Sequence, residues 1–531
     1  MLVPPGYADY SSYFSEVLSF LREYSWVYNF PVTELLVQDV LKQIPMEWST
    51  ALLSLTYQQL NILPQGFVMD DWPPSLIHFC HQCQMLKIPT QRVIEHRPEL
   101  PDKIRRGLTP KKQHEIVSLA ALISAECSAY GITQVLDMGA GLGYLGQLLH
   151  HCYGFHVLGL EVEAERVKTA SRRQESMCPS SAVKYLTFSI SSESCHFIEN
   201  EIQNSMRGIS NCKCGALKIQ SHEYGIMNKW HSPDVCIGGG EQCSVDMSDY
   251  NSEVVNGSTY VCSKEPADEE RMFSPSLGSD NCLLGPSTTS LCMTGLHTCG
   301  DLSVDAIRLF FQLVSTKLLV MVPCCYHKMS LTKDTAMTEE KFFNFPLSSS
   351  LCHLIHSSTF CDSSRFLRRP FLRLASQETA TRWQQWSEED HKEHSLQVMA
   401  RAVLQLYAHD EDLVLKKKCR RAVRKTSRST FDSFMDDALK RYRFVSKTSE
   451  NHYDHSTSLC KVSELWNHHK ASCHLAEIVT GLQMAVQGVA ESFILADRAA
   501  YLQEHAVPSV EIVKVMNDCV SPRCLALVAR K

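Results

Sequence analysis

Residues 134–143 have the sequence QVLDMGAGLG, and this short stretch decides the fold class. An apolar pair, Val135 and Leu136, leads directly into an acid, Asp137, and glycines follow it at every second position. Residues 142–152 (LGYLGQLLHHC) then place apolar side chains at helical spacing. The stretch predicts a buried strand, a tight glycine turn and a helix, which together form one unit of an α/β sheet.

The glycine turn is the predicted ligand-binding part of this unit. Gly139, Gly141 and Gly143 permit a positive φ and allow a ligand to approach the backbone. The acid Asp137 suits a ligand with a cationic amino-acid group better than it suits a pyrophosphate. The spacing also departs from the G-x-G-x-x-G of dinucleotide sites, which disfavours an NAD-dependent oxidoreductase. We therefore expect S-adenosylmethionine at this turn.

Two features further along the chain support a nucleoside ligand. A strand predicted over 156–161 (HVLGLE) ends in Glu161, an acid that can accept hydrogen bonds from both ribose hydroxyls, as in NAD sites. Residues 510–516 and 524–530 are predicted to pair as antiparallel strands because their connection is short. A mostly parallel sheet that closes in such a pair is typical of class I methyltransferases and favours S-adenosylmethionine over NAD.

Two more predicted strands carry polar and thiol side chains at their carboxyl ends. These side chains are His297, Cys299 and Asp301 after the first strand, and Cys324, Cys325 and His327 after the second. Neighbouring strands of an open sheet bring such ends to one edge, where ligands bind. We expect a substrate side there, with His297 or His327 as general base. A cysteine nucleophile and thiols that are merely buried beside a polar loop are the alternatives.

No metal is predicted at this edge. The adjacent cysteines Cys324 and Cys325 lack the intervening residues that structural zinc sites usually have. The segment 291–302 also lacks an N/D-P-P-Y sequence, which accompanies methylation of adenine or glutamine amino groups. A catalytically inactive binding module with the same fold therefore stays open as an alternative.

A polar segment upstream contributes three further candidates. Residues 109–115 (TPKKQHE) precede a helix predicted over 115–130. If this helix packs beside the first strand, Lys112, Gln113 and His114 lie near the mouth of the cofactor site. A solvated helix start explains the same residues equally well.

The patterning along the chain predicts an interrupted α/β domain. The predicted parts are a helical domain over 1–100, the first half of the α/β domain over 101–190, a disordered insertion over 191–290, the continuation over 291–330, a largely helical insertion over 331–480, and a closing helix and hairpin over 481–531. The second insertion contains a basic run, 416–428 (KKKCRRAVRKTSR). That run could contact RNA phosphates, serve as a nuclear localisation signal, or simply form a solvated helix face.

Composition sets the remaining limits. The net charge of −6 provides no chain-wide basic field that would recruit nucleic acid. The first ten residues show no secretory signal, so we expect an intracellular protein, cytoplasmic or nuclear, whose 23 cysteines are mostly reduced. No uninterrupted apolar run is long enough to predict a membrane span. The sequence predicts no oligomeric state.

Several of these segments resemble the methyltransferase-like protein 25 family. The matching segments are PKKQHEI at 110–116, VLDMGAGLGYL at 135–145, TGLHTCGDLS at 294–303, PCCYHKMS at 323–330, and LADRAAYLQE and SPRCLALVA near the end of the chain. Together with the patterning along the chain, this leads us to expect a Rossmann-like class I methyltransferase sheet of seven strands, the last one antiparallel, with an N-terminal helical domain and two insertions. The resemblance also implies an S-adenosylmethionine-dependent methyltransferase, with Asp137, Gly139, Gly141 and Gly143 in the cofactor turn and Glu161 as the ribose-binding acid. The resemblance does not supply a substrate, and we expect an RNA or protein acceptor. The H-x-C-G and C-C-x-H sequences partly resemble those of certain tRNA 2′-O-methyltransferases.

Overall fold

A mixed β-sheet lies at the centre of the computed structural model, which describes residues 2–92, 98–178, 182–207, 290–332, 340–418, 430–446 and 455–531. The strands are β1 (Gln91–Arg92), β2 (Gln134–Met138), β3 (His156–Glu161), β4 (Val183–Thr187), β5 (Leu291–Cys299), β6 (Thr316–Cys324), β7 (Leu413–Lys417), β8 (Tyr442–Ser446), β9 (Ser509–Lys514) and β10 (Leu525–Arg530). Strands β7 and β8 form a separate antiparallel hairpin, and the other eight form the sheet.

The order of the strands confirms the predicted fold class. Seven strands run in the order β4-β3-β2-β5-β6-β10-β9, and β10 is antiparallel to both of its neighbours. The remaining pairs in this set are parallel. The two-residue strand β1 adds a parallel edge beside β9. The sequence did not predict β1, because two residues are too few to show a period.

The helices up to residue 207 are α1 (Tyr10–Glu23), α2 (Ser25–Tyr28), α3 (Val40–Gln43), α4 (Met46–Leu53), α5 (Tyr57–Ile62), α6 (Pro74–Met85), α7 (Asp102–Arg105), α8 (Pro110–Ala129), α9 (Tyr144–Tyr153), α10 (Ala164–Met177) and α11 (Cys195–Arg207). Those after it are α12 (Leu302–Gln312), α13 (Ser349–Ile355), α14 (Arg369–Leu374), α15 (Ala380–Trp383), α16 (Glu388–Asp410), α17 (Phe431–Arg441), α18 (His455–His469) and α19 (Cys473–Glu504). The helical character predicted for 1–100 is thus present in the structure.

The sheet has a hydrophobic core on each face. Successive side chains of a strand point to opposite faces, so Val135 joins the core shared with α8 and α9, whereas Leu136 joins the core on the other side. Asp137 has the same parity as Val135 and therefore lies at the carboxyl end of β2 on the α8 side. The Asp137 side chain consequently lies on the side of the sheet on which α8 packs.

The long helix α19 organises the other face. Most of its 32 residues are buried, and its core includes side chains from the first hundred residues and from 340–410. For example, the side-chain amide of Asn61 donates to the backbone oxygen of Trp386 at 2.8 Å. Within the part of the chain that the structure describes, one helical segment, Leu459–Glu504, has the length and apolarity of a membrane span, and 89% of its most apolar window is buried inside the protein. Packing in the core accounts for that apolarity.

Several element boundaries differ from the prediction. Helix α9 begins at Tyr144, because Gly143 adopts a left-handed conformation (φ 75°) as its N-cap. Helix α8 begins at Pro110, where the Thr109 hydroxyl accepts from the backbone N–H of Lys112 at 3.3 Å. Helix α19 begins eight residues before the predicted position 481.

The two insertions contain structure that the sequence did not predict. Helix α11 lies in the stretch 191–290 that was expected to lack periodicity, and its residues Ile198 and Ile202 are buried. Residues 208–289 lie outside the described residues. The helical second insertion carries the β7–β8 hairpin, and most of the basic run 416–428 also lies outside the described residues.

Candidate functional site

The glycine turn follows β2 and has an open outer side. Its three glycines all adopt positive φ values, as predicted, at 78°, 59° and 75°. A Cβ built on Gly141 would meet nothing within 4 Å, so a ligand can approach this backbone. A Cβ on Gly143 would lie 2.6 Å from the ring of Tyr185, whose hydroxyl donates to the Gly143 carbonyl at 2.8 Å. Tyr185 therefore packs against the turn at Gly143, whereas the side of the turn at Gly141 is open to a ligand.

Asp137 is the buried acid at the start of this turn. Among the described residues its Oδ2 has no hydrogen-bond partner. Burial, with a contribution from Glu161, raises the pKa of the Asp137 carboxyl to about 7 although Lys112 opposes the shift. A buried carboxylate without a partner is destabilising unless a cation or donor offsets it. A ligand with an ammonium group provides that donor, whereas a pyrophosphate would repel this carboxylate.

Glu161 lies at the tip of β3, beside the turn. Its Oε2 accepts from the backbone N–H of Gly141 at 2.9 Å and its Oε1 accepts from that of Glu163 at 3.1 Å. The guanidinium of Arg166 lies 3.7 Å from Oε1. A carboxylate has about four acceptor positions, so capacity remains for the two ribose hydroxyls. The buried oxygen of Asp137, the open side of Gly141 and the acceptors of Glu161 together fit S-adenosylmethionine.

The second part of the site is a histidine–glutamate pair. His297 is an extra residue in β5, at an irregularity of the β5–β6 pairing, and has a left-handed φ of 66°. Its Nε2 lies 2.9 Å from Oε2 of Glu115, a buried residue of α8. The other oxygen of Glu115 accepts from the Ser521 hydroxyl at 2.8 Å. The strained backbone of His297 thus directs its ring toward α8.

The charges around this pair favour an ionised glutamate and a neutral histidine. Burial acts to raise the pKa of Glu115, but the hydrogen bond to His297 and the charges of Lys112 and Lys111 outweigh it and lower that pKa to about 2. Burial lowers the pKa of His297, against the opposing effect of Glu115. Because a carboxylate only accepts hydrogen bonds, we assign the proton to Nε2, which leaves Nδ1 as an acceptor. This arrangement suits a general base.

Lys112 connects the two parts. Its ammonium lies 3.4 Å from Glu115 Oε2, and its charge lowers the pKa of Asp137 as well as that of His297. Asp137 lies near the carboxyl end of β2 and His297 near that of β5, and these two strands are parallel neighbours in the sheet. The glycine turn and the histidine–glutamate pair therefore lie at the same edge of the sheet.

The three predicted cysteines also come together. The sulfur atoms of Cys299, Cys324 and Cys325 all lie within 4.8 Å of one another. Those of Cys299 and Cys324 are 3.1 Å apart. The sequence predicted that the ends of these two strands meet at one edge, but it did not predict that the three sulfur atoms lie in direct contact range.

Other predicted site residues have structural partners. The Gln113 side chain donates to the carbonyl of Leu108 at 3.0 Å, and His114 Nε2 accepts from the backbone N–H of Asn517 at 2.9 Å. Asp301 accepts from the backbone and hydroxyl of Ser330 and from the amide of Asn344. These contacts tie the loops of the site together and occupy the polar atoms that a substrate would otherwise contact.

His327 differs from His297. Burial and the charges of nearby arginines together lower the pKa of His327 to about 4. Its Nδ1 is buried and has no hydrogen-bond partner among the described residues, while its backbone oxygen accepts from Arg369. A base with so low a pKa is a weak proton acceptor near neutral pH. Of the two candidate bases, His297 has the more suitable environment.

Three residues of the site were missed from sequence. Glu115 holds the predicted base but is 182 positions away from it in the chain, and Ser521 in turn holds Glu115. Tyr185 supports the glycine turn from β4. The one available signal was the spacing of Glu115 from Lys111 and Lys112, which places all three on one face of the helix start.

Comparison with known proteins agrees with this geometry. A family model described as a methyltransferase domain matches residues 111–332, which include both parts of the site. The human protein named "Probable methyltransferase-like protein 25" is 24% identical over 79% of this chain and 74% of its own length. The mouse protein of the same name is 24% identical over 80% of this chain and 75% of its own length. Residues 111–332 of this chain thus match a methyltransferase-domain model, and about four-fifths of the chain is similar to the two proteins named probable methyltransferase-like protein 25.

Proposed function

We propose that this protein transfers a methyl group from S-adenosylmethionine to an RNA or protein acceptor. The observation that carries the proposal is the buried, unpartnered oxygen of Asp137 beside the open glycine turn. This pairing favours a ligand that combines a cationic amino acid with a nucleoside. In the proposal, Asp137 binds the ammonium group, the backbone at Gly141 lies against the ligand, and Glu161 accepts from the ribose.

The chemistry divides between cofactor and protein. S-adenosylmethionine, when bound, supplies an activated methyl group. Nδ1 of His297 takes the proton from the acceptor hydroxyl or amine as the methyl group is transferred. Glu115 orients the ring through Nε2 and stabilises the imidazolium that forms, and Ser521 holds Glu115 in place. Lys112 lies where it can contact an anionic part of the acceptor.

A second candidate is a binding module that keeps the cofactor but has no transfer activity. The missing N/D-P-P-Y sequence is the observation that favours it. The two candidates share the cofactor site and differ in whether His297 works as a base, so binding and transfer need separate measurements.

Cofactor binding is measured by calorimetric titration of the full chain with S-adenosylmethionine and, separately, with NAD. We expect heat from the methyl donor only, and no heat in Asp137→Asn, which keeps the shape of the side chain but removes its charge. Glu165→Gln, an exposed acid on the neighbouring helix α10, is the matched control and should bind as the wild type does. Equal binding by Asp137→Asn would contradict the cofactor assignment.

Methyl transfer is measured with radiolabelled cofactor and fractionated cellular RNA and protein. Label in one fraction identifies the acceptor class and supports the enzyme. Binding without label in either fraction would support the inactive module instead.

A further inference from the structure

The thiol cluster Cys299–Cys324–Cys325 has no role in the proposed methyl transfer. Its three sulfur atoms come from the ends of β5 and β6 and lie within 4.8 Å of one another. Among the described residues this is the one group of three or more histidine, cysteine or acidic side chains with atoms close enough to share a metal ion. The other free thiols that the structure describes form no group of three, and most are buried in the core.

The backbone explains how two adjacent cysteines contribute to one cluster. In an extended strand, neighbouring side chains point to opposite faces. Cys325 instead adopts a left-handed conformation with φ 46°, which turns its side chain back toward Cys324. Gly300 secures the arrangement from the other strand, since a Cβ there would lie 2.9 Å from the backbone of Lys328. The usual cysteine spacing of structural zinc sites, which argued against zinc here, applies to ligands that come from one turn. The three cysteines of this cluster come from the ends of two strands.

We propose that Cys299, Cys324 and Cys325 bind a zinc ion, and that His327, whose nitrogens lie outside the 4.8 Å group of sulfur atoms, turns toward the ion as the fourth ligand. Zinc is bound by thiolates at about 2.3 Å in tetrahedral geometry, which places the sulfur atoms about 3.8 Å apart. The cluster has one pair at 3.1 Å and all pairs within 4.8 Å, so small side-chain adjustments suffice. His327 follows Cys325 by two residues and has a buried Nδ1 without a partner among the described residues. Three cysteines and one histidine form an ordinary structural zinc set.

The third thiol favours a metal over a disulfide. A bond between Cys299 and Cys324 would use two sulfur atoms and leave Cys325 beside it without a role. Zinc uses all three, and its binding releases the thiol protons to solvent without any change of oxidation state. The ion would cross-link the ends of β5 and β6 two residues from His297. The proposal is independent of the cofactor assignment, because none of its ligands contributes to the glycine turn.

The test measures metal in the full chain, purified under reducing conditions. Elemental analysis gives the zinc content, and cobalt(II) replaces zinc to provide a spectrum that reports the number of thiolate ligands. The sequence has further cysteines outside the described residues, for example Cys212 and Cys214, so the wild type is compared with single variants. The variants are Cys299→Ser, Cys324→Ser, Cys325→Ser and His327→Ala, and Cys352→Ser, a half-buried thiol of α13, is the matched control.

We expect each of the three cysteine variants to contain one zinc fewer per chain than the wild type and Cys352→Ser. The cobalt spectrum of the wild type should show three thiolates and one nitrogen, a result that needs no variant to fold. His327→Ala should retain cobalt with a changed visible spectrum.

Equal zinc in all variants, or a cobalt spectrum without thiolate ligands, would overturn the site. A disulfide between Cys299 and Cys324 in the reduced preparation, found by mass spectrometry of unreduced peptides, would overturn it in favour of a redox pair. An unchanged spectrum in His327→Ala would remove His327 from the ligand set. A wild-type protein that contains its full zinc but does not bind S-adenosylmethionine would contradict the proposed function and leave the zinc site standing.

Discussion

Two histidine–glutamate pairs in the part of the chain that the structure describes look alike but differ in whether the histidine keeps a nitrogen without a partner. His297 and Glu115 are 2.9 Å apart at the carboxyl edge of the sheet, and His391 and Glu477 are 2.7 Å apart between α16 and α19. Both glutamates are buried. The second nitrogen of His391 lies 2.6 Å from the side-chain oxygen of Asn61, and the ring is completely buried.

The contrast lies in the unused nitrogen. His297 is 27% exposed, and its Nδ1 has no partner among the residues that the structure describes. His391 has both nitrogens occupied, and its glutamate is bound a second time by His394 at 2.8 Å. A buried polar network in which every group has a partner stabilises the fold. A histidine held by one nitrogen and open at the other is ready to exchange a proton.

The largest expected effect is on the pair His297–Glu115, called the open pair because one histidine nitrogen is without a partner among the described residues. His297→Ala should lower the rate of methyl transfer by about 10²–10⁴-fold, the usual contribution of a general base. Its melting temperature should also fall, because buried Glu115 loses one donor and keeps only Ser521 and the nearby lysines, so the rate is expressed per folded molecule. The rate is measured at saturating cofactor, and calorimetry checks that S-adenosylmethionine still binds.

The control is His156→Ala, a partly buried histidine at the amino end of β3, on the opposite edge of the sheet. It should keep the wild-type rate. A normal rate in His297→Ala would refute the role of His297 as base and leave the pair a structural contact.

The next effect is on the pair His391–Glu477, called the closed pair because both histidine nitrogens have partners. His391→Ala leaves the Glu477 carboxylate and the Asn61 oxygen short of a donor inside the core, so unfolding in urea should become easier by about 3–5 kcal/mol. The folded fraction should transfer methyl groups at the normal rate per molecule. The matched control is His409→Ala, an exposed histidine on the same helix, which should change stability by less than about 0.5 kcal/mol. A loss of activity without a loss of stability would reverse the comparison.

Sequence reasoning succeeded at the glycine turn and did not find the histidine–glutamate pairs. The glycine turn with Asp137 and Glu161 was predictable, since its elements follow one another within about thirty residues and each has a local pattern. The mostly parallel sheet with its antiparallel closing pair followed from the same patterns and the short connection between the last two strands. Glu115 was not recognised, because its partner lies 182 positions away and the pair forms only when α8 packs beside β5.

Long-range packing explains the other omissions too. His391 and Glu477 lie on two helices and are separated by 86 positions, so no spacing rule links them. The thiol cluster was judged by the spacing of adjacent cysteines, yet its geometry depends on the left-handed Cys325 and on the pairing of β5 with β6. Backbone conformations of this kind depend on tertiary contacts, which local patterns do not encode.

The pH dependence of the open pair should identify the proton acceptor. The neutral form of His297 is the base, so the rate should fall as the pH drops through its pKa, which burial places below the ordinary value. Glu115 raises that pKa by its hydrogen bond and charge, so Glu115→Gln should move the acid limb of the rate to lower pH and also lower the plateau. A rate profile measured on both proteins decides this, and an unchanged acid limb would assign the titration to another group.

The free energy of unfolding should also depend on pH through this pair, in a direction that the lowered pKa of Glu115 determines. The pKa of Glu115 falls from 4.5 to about 2 on folding, so the pair stabilises the protein fully above pH 4.5 and loses that contribution as the pH falls toward 2. In Glu115→Gln this part of the acid destabilisation should be absent. Urea unfolding at several pH values measures it, and parallel curves for the two proteins would show that Glu115 is not held as a carboxylate.

The smallest effect tests the group behind Glu115. Ser521 donates to Glu115 Oε1 at 2.8 Å and is itself buried, so Ser521→Ala removes one hydrogen bond to a carboxylate that keeps its other partners. We expect a loss of stability of about 1–2 kcal/mol, near the usual value for a hydrogen bond to a charged group, and a modest loss of rate. Ser395→Ala is the matched control, because its buried hydroxyl donates to the backbone carbonyl of Lys392 within the closed pair's helix. It should lower stability without lowering the rate. An equal fall in rate in both variants would mean that stability alone limits activity, and that the open pair has no special connection with the chemistry.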